Sequence, residues 1–288
     1  MPKKKVMSHY NERLDEVYNN AVCIPLCPEK PYVLMSDCHR GDGNWNDNFA
    51  HNKSIYLAAL KEYYDRGFTY IELGDGDELW ENRSIEEIIE KHYEVFRLLK
   101  KYHDCGRFLM MYGNHDMEKH EGLVMKCFPN IPVFESILLK NCENNTGMFL
   151  LHGHQGDFIN DTLWKVSRFL VRYLWRPLEL LGVKDPTSAA KNYRKKDRIE
   201  KKLAAWAKKH HQILIAGHTH RPSFAIQPDK DYYYNTGSCV HPYSTTAIEI
   251  CNGNMTLVKW IEMPDNCKYI HVEKEILGGP TPLSKLLI

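Results

Sequence analysis

Five short apolar or β-branched runs each break off into a glycine-bearing block crowded with aspartate, asparagine or histidine. This repeated ending constrains the chain more than any other feature. The runs are Tyr32-Val33-Leu34-Met35, Phe68-Thr69-Tyr70-Ile71, Phe108-Leu109-Met110-Met111, Met148-Phe149-Leu150-Leu151 and Ile213-Leu214-Ile215. The blocks that end them read SDCHRGDG, ELGDGDELW, YGNHDME, HGHQGD and GHTH. Runs of this length are strand signals, and residues 55–64 and 85–102 between the early ones carry apolar residues at helical spacing. The alternation predicts βαβ units with buried strands. In an open α/β sheet the ligand crevice forms at the carboxyl ends of the strands, which is where the blocks fall.

After residue 222 the pattern changes to consecutive strands, around YYYNTGS, TTAIEIC and MTLVKW, with Asn252-Gly253 as a hairpin turn. The 288 residues suit a single domain over 1–288, with residues 265–288 read as an arm or tail. Net charge is only +1, so no global field points to nucleic acid or membrane. That total hides an asymmetry. Residues 158–210 hold 14 Lys/Arg against 5 Asp/Glu, and the rest of the chain holds 24 against 32. The segment reads as a basic helical lid of two helices around GVKDPTS, broken at Pro186 and capped again at Thr187 or Ser188. Its longest apolar window, residues 163–183, is interrupted by Lys165, Arg168, Arg172 and Arg176 and cannot span a bilayer. The N-terminus has lysines but no apolar stretch behind them, and the nine cysteines have no framework spacing. Both features lead to the expectation of a reduced, cytoplasmic protein, peripheral at the membrane at most.

The blocks supply metal-ligating side chains. In Asp37-Cys38-His39 and in His218-Thr219-His220, strand alternation would point the outer two residues one way and the middle one the other. The glycines Gly74, Gly113, Gly153 and Gly217 would permit tight turns beside a shared centre. Mixed Asp, Asn and His donors suit Mn²⁺, Fe²⁺, Zn²⁺ or Ni²⁺ rather than a thiolate-seeking ion. Seven such donors exceed what one ion takes, whereas two ions sharing a carboxylate fit. Paired ions are the usual arrangement for phosphate-ester hydrolysis, with a bridging hydroxide as nucleophile.

In this order the blocks resemble the signature of the calcineurin-like metallophosphoesterases: D-x-H, GD-x-x-D/E, GNH-D/E, a glycine-adjacent histidine and GH-x-H. The resemblance implies a four-layer α-β-β-α sandwich of two mixed sheets. It implies one ion, Mn²⁺ for preference, on Asp37, His39, Asp75 and His220, and a second on Asp75, Asn114, His152 and His218. In HGHQ either His152 or His154 could be the ligand; His152 directly follows the strand, as in relatives with an HGD-type block, and His154 then either supports the ligands or faces the substrate. His115 would stabilise the transition state or act as general acid, with Asp116 orienting its ring. GDGDELW, GHTHRP, YNTGS and a helical insert before GHTH further resemble the UDP-2,3-diacylglucosamine pyrophosphatase branch. That branch usually has arginine at the position of His115 and a different opening block, so its substrate does not carry over.

These readings imply a dinuclear hydrolase of a phosphodiester, pyrophosphate or phosphomonoester bond, acting on a phosphorylated small molecule or a nucleotide- or lipid-linked substrate. A nuclease, a protein phosphatase and a non-catalytic scaffold of the same fold are the alternatives. Arg40, beside His39, is a candidate phosphate contact. Arg168, Arg172 and Arg176 are spaced four apart and form one helical stripe, a candidate surface for an anionic, partly apolar substrate or an acidic membrane. Nucleic acid is the weaker partner for that stripe, and nothing in the sequence sets the oligomeric state.

Overall fold

The apolar runs are strands buried on both faces, which is why they read as continuous rather than alternating. The computed structural model describes residues 3–27, 29–44, 47–123, 125–141, 146–157, 161, 163–175, 193–225, 231–264 and 270–287. One sheet has seven strands. Its parallel half is β2 (Tyr32–Met35), β3 (Thr69–Leu73), β4 (Phe108–Met111) and β5 (Val133–Phe134). Antiparallel β10 (Ser244–Cys251), β11 (Asn254–Pro264) and β12 (Ile270–Pro282) extend it beyond β2. The other sheet has the order β1 (Val22–Pro25), β6 (Ser136–Lys140), β7 (Gly147–Leu151), β8 (Ile213–Ala216) and β9 (Tyr233–Asn235).

Period two sorts the side chains. Leu34, Ile71, Leu73 and Met111 face Ile137, Leu139, Met148, Leu150, Ile213 and Ile215 across the space between the sheets. Val33, Met35, Tyr70 and Met110 point the other way, onto α2 (Lys53–Asp65), α3 (Ile85–Lys91) and α4 (Tyr93–Asp104). Phe149, Leu151, Leu214 and Ala216 face α1 (Lys3–Asn19) and the helix Tyr193–His210. The fold is therefore a four-layer α-β-β-α sandwich, and the parallel strands of both sheets bring their carboxyl ends to one edge.

Three segments differ from the sequence reading in an instructive way. Residues 85–102 are two helices, not one, because His92 leaves the helical path. Its buried ring donates from Nε2 to Asp47 Oδ2 at 2.8 Å. Two pieces of the basic segment lie among the described residues. Residues Trp164–Leu170 form α5, which runs on as a wider π-type turn over Val171–Trp175. Tyr193–His210 is α6, a full member of the outer layer rather than a lid, since Ile199, Leu203, Trp206 and Ala207 are buried against the sheet. Fully burying an aliphatic or aromatic side chain of this size contributes about 2 kcal/mol. Arg176, Pro186, Thr187 and Ser188 lie outside the described residues. Of the C-terminal stretch, β12 is an edge strand on β11, followed by α7 (Leu283–Leu286).

The seven described cysteines are free thiols, and among the described residues no helix is long and apolar enough to cross a membrane. The Asn252-Gly253 hairpin has φ of 51° and 71°, the left-handed pair that a two-residue type I′ turn requires. A Cβ at Gly253 would meet nothing within 4 Å, so only backbone strain opposes Gly253→Ala. That variant should lose about 1 kcal/mol, read as a shift in the urea unfolding midpoint.

Candidate metal centre

The loops that leave β2, β3, β4, β7 and β8 meet at the strand ends. Those after β2 and β3 run side by side: His39 N–H donates to Asp75 O at 2.9 Å and Arg40 N–H to Gly76 O at 3.0 Å. Asp37, His39, Asp75, His218 and His220 all have positive φ, between 47° and 67°. Left-handed backbone costs a non-glycine residue about 1 kcal/mol or more. The two D-x-H-like spacings thus place their outer side chains together by a turn of left-handed residues, not by the strand alternation the sequence suggests. The middle residues do turn away: Cys38 is in the outer core, and Thr219, fully buried, donates to Glu200 Oε1 at 2.8 Å. Gly113 and Gly217 are required for close approach rather than for φ. A Cβ at Gly113 would collide with Asp75 Oδ1, and one at Gly217 with Ser36 Oγ.

The side chains converge in three overlapping groups whose ligand atoms lie within 4.8 Å of one another: Asp37, His39 and His220; His39, Asp75 and His115; Asp75, His152 and His218. Asp75 Oδ2 faces both wings, 3.7 Å from His39 Nε2 and 3.1 Å from His152 Nε2. The orienting hydrogen bonds sit on the far sides of the rings. His152 Nδ1 donates to Leu73 O at 2.9 Å and His39 Nδ1 to Glu78 Oε2 at 2.8 Å, which leaves both Nε2 atoms facing the centre. Asp37 Oδ2 accepts from Ser36 Oγ and from His218 N–H, so its Oδ1 is the free oxygen. Asp37 Oδ1, both amide atoms of Asn114, His152 Nε2 and His218 Nε2 are buried with no hydrogen-bond partner among the described residues; the 3.1 Å approach of His152 Nε2 to Asp75 is not a hydrogen bond. Unpartnered buried donors and acceptors cost about 1–3 kcal/mol each. Their concentration at one point, in a set of carboxylate, amide and imidazole, fits a divalent cation centre.

The charges are arranged to match. Burial alone would raise the pKa of Asp37, but the neighbouring His220 and His152 outweigh it and hold the carboxyl well below its usual range. Burial would lower that of His152, yet Asp75 and Asp37 drive it up to about 9. His39 is likewise raised against burial by Asp37 and Glu78. His218 goes the other way, depressed by burial and by the charge on His152. Protons on His39 and His152 thus compensate the two aspartates in the metal-free protein.

The Calcineurin-like phosphoesterase family model matches residues 30–222, which contain every one of these loops. The chain belongs to the calcineurin-like phosphoesterases. No curated protein sequence matches it significantly. Among solved structures it is similar to Chaetomium thermophilum Vps29, at 13% identity over 87% of this chain and 96% of that one, with a TM-score of 0.42. The same protein complexed with the RaPID-derived cyclic peptide RT-D3 matches at 13% identity over 86% and 95%, with a TM-score of 0.36.

As in the family signature, Asp37, His39, Asp75, His115, His152, His218 and His220 come together, and Asn114 is buried on the adjoining loop. His154 does not join a ligand group. Its ring lies 5.5 Å from that of His152, and both its nitrogens lack a hydrogen bond among the described residues. Asp116 does not touch the His115 ring. Its carboxylate accepts from the N–H groups of Gly113 (2.7 Å), Gly76 (2.9 Å) and Asp75 (3.2 Å) and from Lys119, tying two loops together. Glu78 orients His115 instead, with Oε1 2.8 Å from Nδ1, while Trp80 stacks on the ring at 4.2 Å. Glu78 is the third residue after Asp75 in GDGDE, the one sequence signal that marked it.

The arginines are the main correction. Arg40 is fully buried, bidentate to Glu72 at 2.7 and 2.9 Å and bonded to Asp77 at 2.7 Å, so it faces the core and not a phosphate. Arg168 pairs with Glu118 over the Trp164 ring, and Arg172 donates to backbone carbonyls. Neither is directed outward as a substrate contact. Lys119, which no sequence signal singles out, bridges Asp77 and Asp116 at 2.7 Å each. Lys119→Met would strand two buried carboxylates and should cost about 3–5 kcal/mol. Chemical unfolding checks this, and a loss well under that range would show that Arg40 alone balances the network.

Proposed function

We propose that this chain is a dinuclear metal-dependent phosphoesterase that hydrolyses a phosphodiester, pyrophosphate or phosphomonoester bond. The observation that carries the reading is Asp75, whose Oδ2 faces His39 on one side and His152 on the other, between two groups of candidate ligands in which Asp37 Oδ1, His152 Nε2 and His218 Nε2 have no hydrogen-bond partner among the described residues. Asp37, His39, Asp75 and His220 would hold one ion, and Asp75, Asn114, His152 and His218 the other. When bound, such a pair supplies positive charge to the phosphate oxygens and lowers the pKa of an attacking water.

The chain's own groups do the rest. Glu78 fixes His115 through Nδ1 and leaves Nε2 to donate to a phosphate or leaving oxygen. Burial lowers the pKa of that ring, but Glu78 and Asp75 outweigh burial and raise it, so a proton is held at the site where a leaving group needs one. The finer reading, a nucleotide- or lipid-linked substrate received beside α5, is supported by Val166, Phe169 and Tyr173, 53%, 60% and 53% exposed. Liposome co-sedimentation that Phe169→Glu abolishes would support it, and binding indifferent to that change would remove it.

The first test is hydrolysis of bis-p-nitrophenyl phosphate and p-nitrophenyl phosphate by metal-stripped protein reconstituted with Mn²⁺. Turnover that depends on the ion is expected. Two bound ions without turnover on either compound or on longer phosphate esters would favour a scaffold of this fold. Asp75→Asn should lose bound metal, whereas His115→Ala should keep both ions and lose most turnover. His152→Ala should lose metal and His154→Ala should not, as measured by calorimetric stoichiometry.

Metal uptake should also depend on pH. His152 carries a proton up to about 9 in the metal-free protein and must release it to become a ligand. Mn²⁺ affinity should therefore rise with pH towards about 9, with proton release visible as a buffer-dependent heat of binding.

A further inference from the structure

The arginine stripe of the sequence has an unexpected use. Arg172 reaches across from the π-type turn after α5 to the loop that follows Asp75. Its Nε donates to Trp80 O at 3.0 Å, and its Nη2 to Leu79 O at 2.5 Å and Asn82 O at 3.1 Å. Three backbone carbonyls of one short loop are thereby gathered on one planar guanidinium, whose fixed fork of donors suits such a task better than a lysine. Between those carbonyls sits the Trp80 indole, 2% exposed and stacked on His115 with ring centroids 4.2 Å apart and planes at 21°. The loop also bonds His115 directly, through Leu79 N–H to His115 O at 3.2 Å. Trp80, Tyr112, Met117, Trp164 and Val171 form a small apolar cluster that seats the helix against this loop, apart from the main cores. Helices that widen to π-type turns frequently do so at functional sites.

We propose that Arg172 is a positioning residue for His115, acting through the Trp80 loop, so that the α5 segment sets the angle at which the imidazole meets the substrate. The inference rests on the phosphoesterase reading for its catalytic meaning and on the contacts above for its geometry. Arg172 touches neither the candidate ligands nor a reacting atom. Its loss should lower kcat and leave metal binding alone, because a misplacement of about 1 Å at a reacting group can cost about 10²-fold.

The test uses the full chain. Arg172→Ala should lower kcat on bis-p-nitrophenyl phosphate by about 10- to 100-fold with KM and the number of bound Mn²⁺ ions unchanged. Trp80→Phe, which keeps a ring on the imidazole, should lose less, and Arg172→Lys should recover part of the loss by restoring a cationic donor. In a His115→Ala background, Arg172→Ala should cost nothing further, because the group it positions is gone. A second readout needs no activity: in metal-free protein labelled with ¹⁵N-histidine, Arg172→Ala should move the His115 ring resonances and leave those of His152 in place. An unchanged kcat, an equal loss in the His115→Ala background, or unmoved His115 resonances would each overturn the proposal. If the wild-type protein hydrolyses no phosphate ester, the phosphoesterase reading falls, and the ring resonances alone decide whether Arg172 positions His115.

Discussion

Five side chains buried away from water hold the loops after β2, β3 and β4 in register: Arg40, Glu72, Asp77, Asp116 and Lys119. Each belongs to a segment that carries a candidate ligand or lies next to one. Arg40 follows His39, Asp77 lies two residues beyond Asp75, Asp116 two beyond Asn114, and Glu72 sits within β3 on its outer face. A hydrophobic contact could hold these loops near one another but would not fix their mutual orientation. A bidentate guanidinium on Glu72 with a third bond to Asp77 does so, because its donors have one planar arrangement. Buried ion pairs are weak sources of net stability, since desolvation offsets most of the attraction. Their value here is geometric: they hold the loops of the left-handed Asp37, His39 and Asp75 in conformations that local energetics disfavour.

The centre those loops build is defined by a charge imbalance that its own protons can only partly relieve. Asp37 stays ionised in a buried setting beside His220 and His152, and Asp75 beside His152 and His115. The second pair of histidines, His218 and His220, is depressed by burial instead. A divalent ion placed on either side of Asp75 would supply a larger charge than those protons and would find its donors already turned inward. Glu78 serves both halves with one carboxylate, one oxygen on His39 and the other on His115. A candidate ligand and the candidate acid are therefore oriented by the same side chain and cannot be displaced independently.

Much of this was legible in the sequence because strands buried on both faces announce themselves as short apolar runs, and their ends then point to one crevice. That logic pointed to Asp37, His39, Asp75, Asn114, His115, His218 and His220, and left His152 and His154 as alternatives. What spacing cannot give is which acid meets which base across loops. Asp116 is next to His115 in sequence but turns to backbone N–H groups, while Glu78, 37 residues away, takes the ring. Arg40 follows a candidate ligand, yet the next position along a turn faces the opposite way, and Glu72 waits there in the core. The same holds for α6. Its lysines dominate a charge count, and the four apolar residues that make it a structural layer are outnumbered but all on one face.

That last case bears on how a basic segment should be weighed. A count of 14 cations against 5 anions suggests a surface waiting for an anion. Residue by residue, many of the described cations already have partners. Lys165 pairs with Glu121, Arg168 with Glu118, Lys195 with Asp157 and Lys201 with Asp197, while Lys202 lies over the Tyr10 ring and Arg172 is spent on carbonyl oxygens. Several of those acids belong to the body and not to the segment, so the excess positive charge of one part neutralises the excess negative charge of the other. The asymmetry seen in the sequence is, to that extent, the means by which α5 and α6 dock. The apolar side chains that remain outward on α5 and the turn after it, Val166, Phe169 and Tyr173, are then a better guide than net charge to what this face meets.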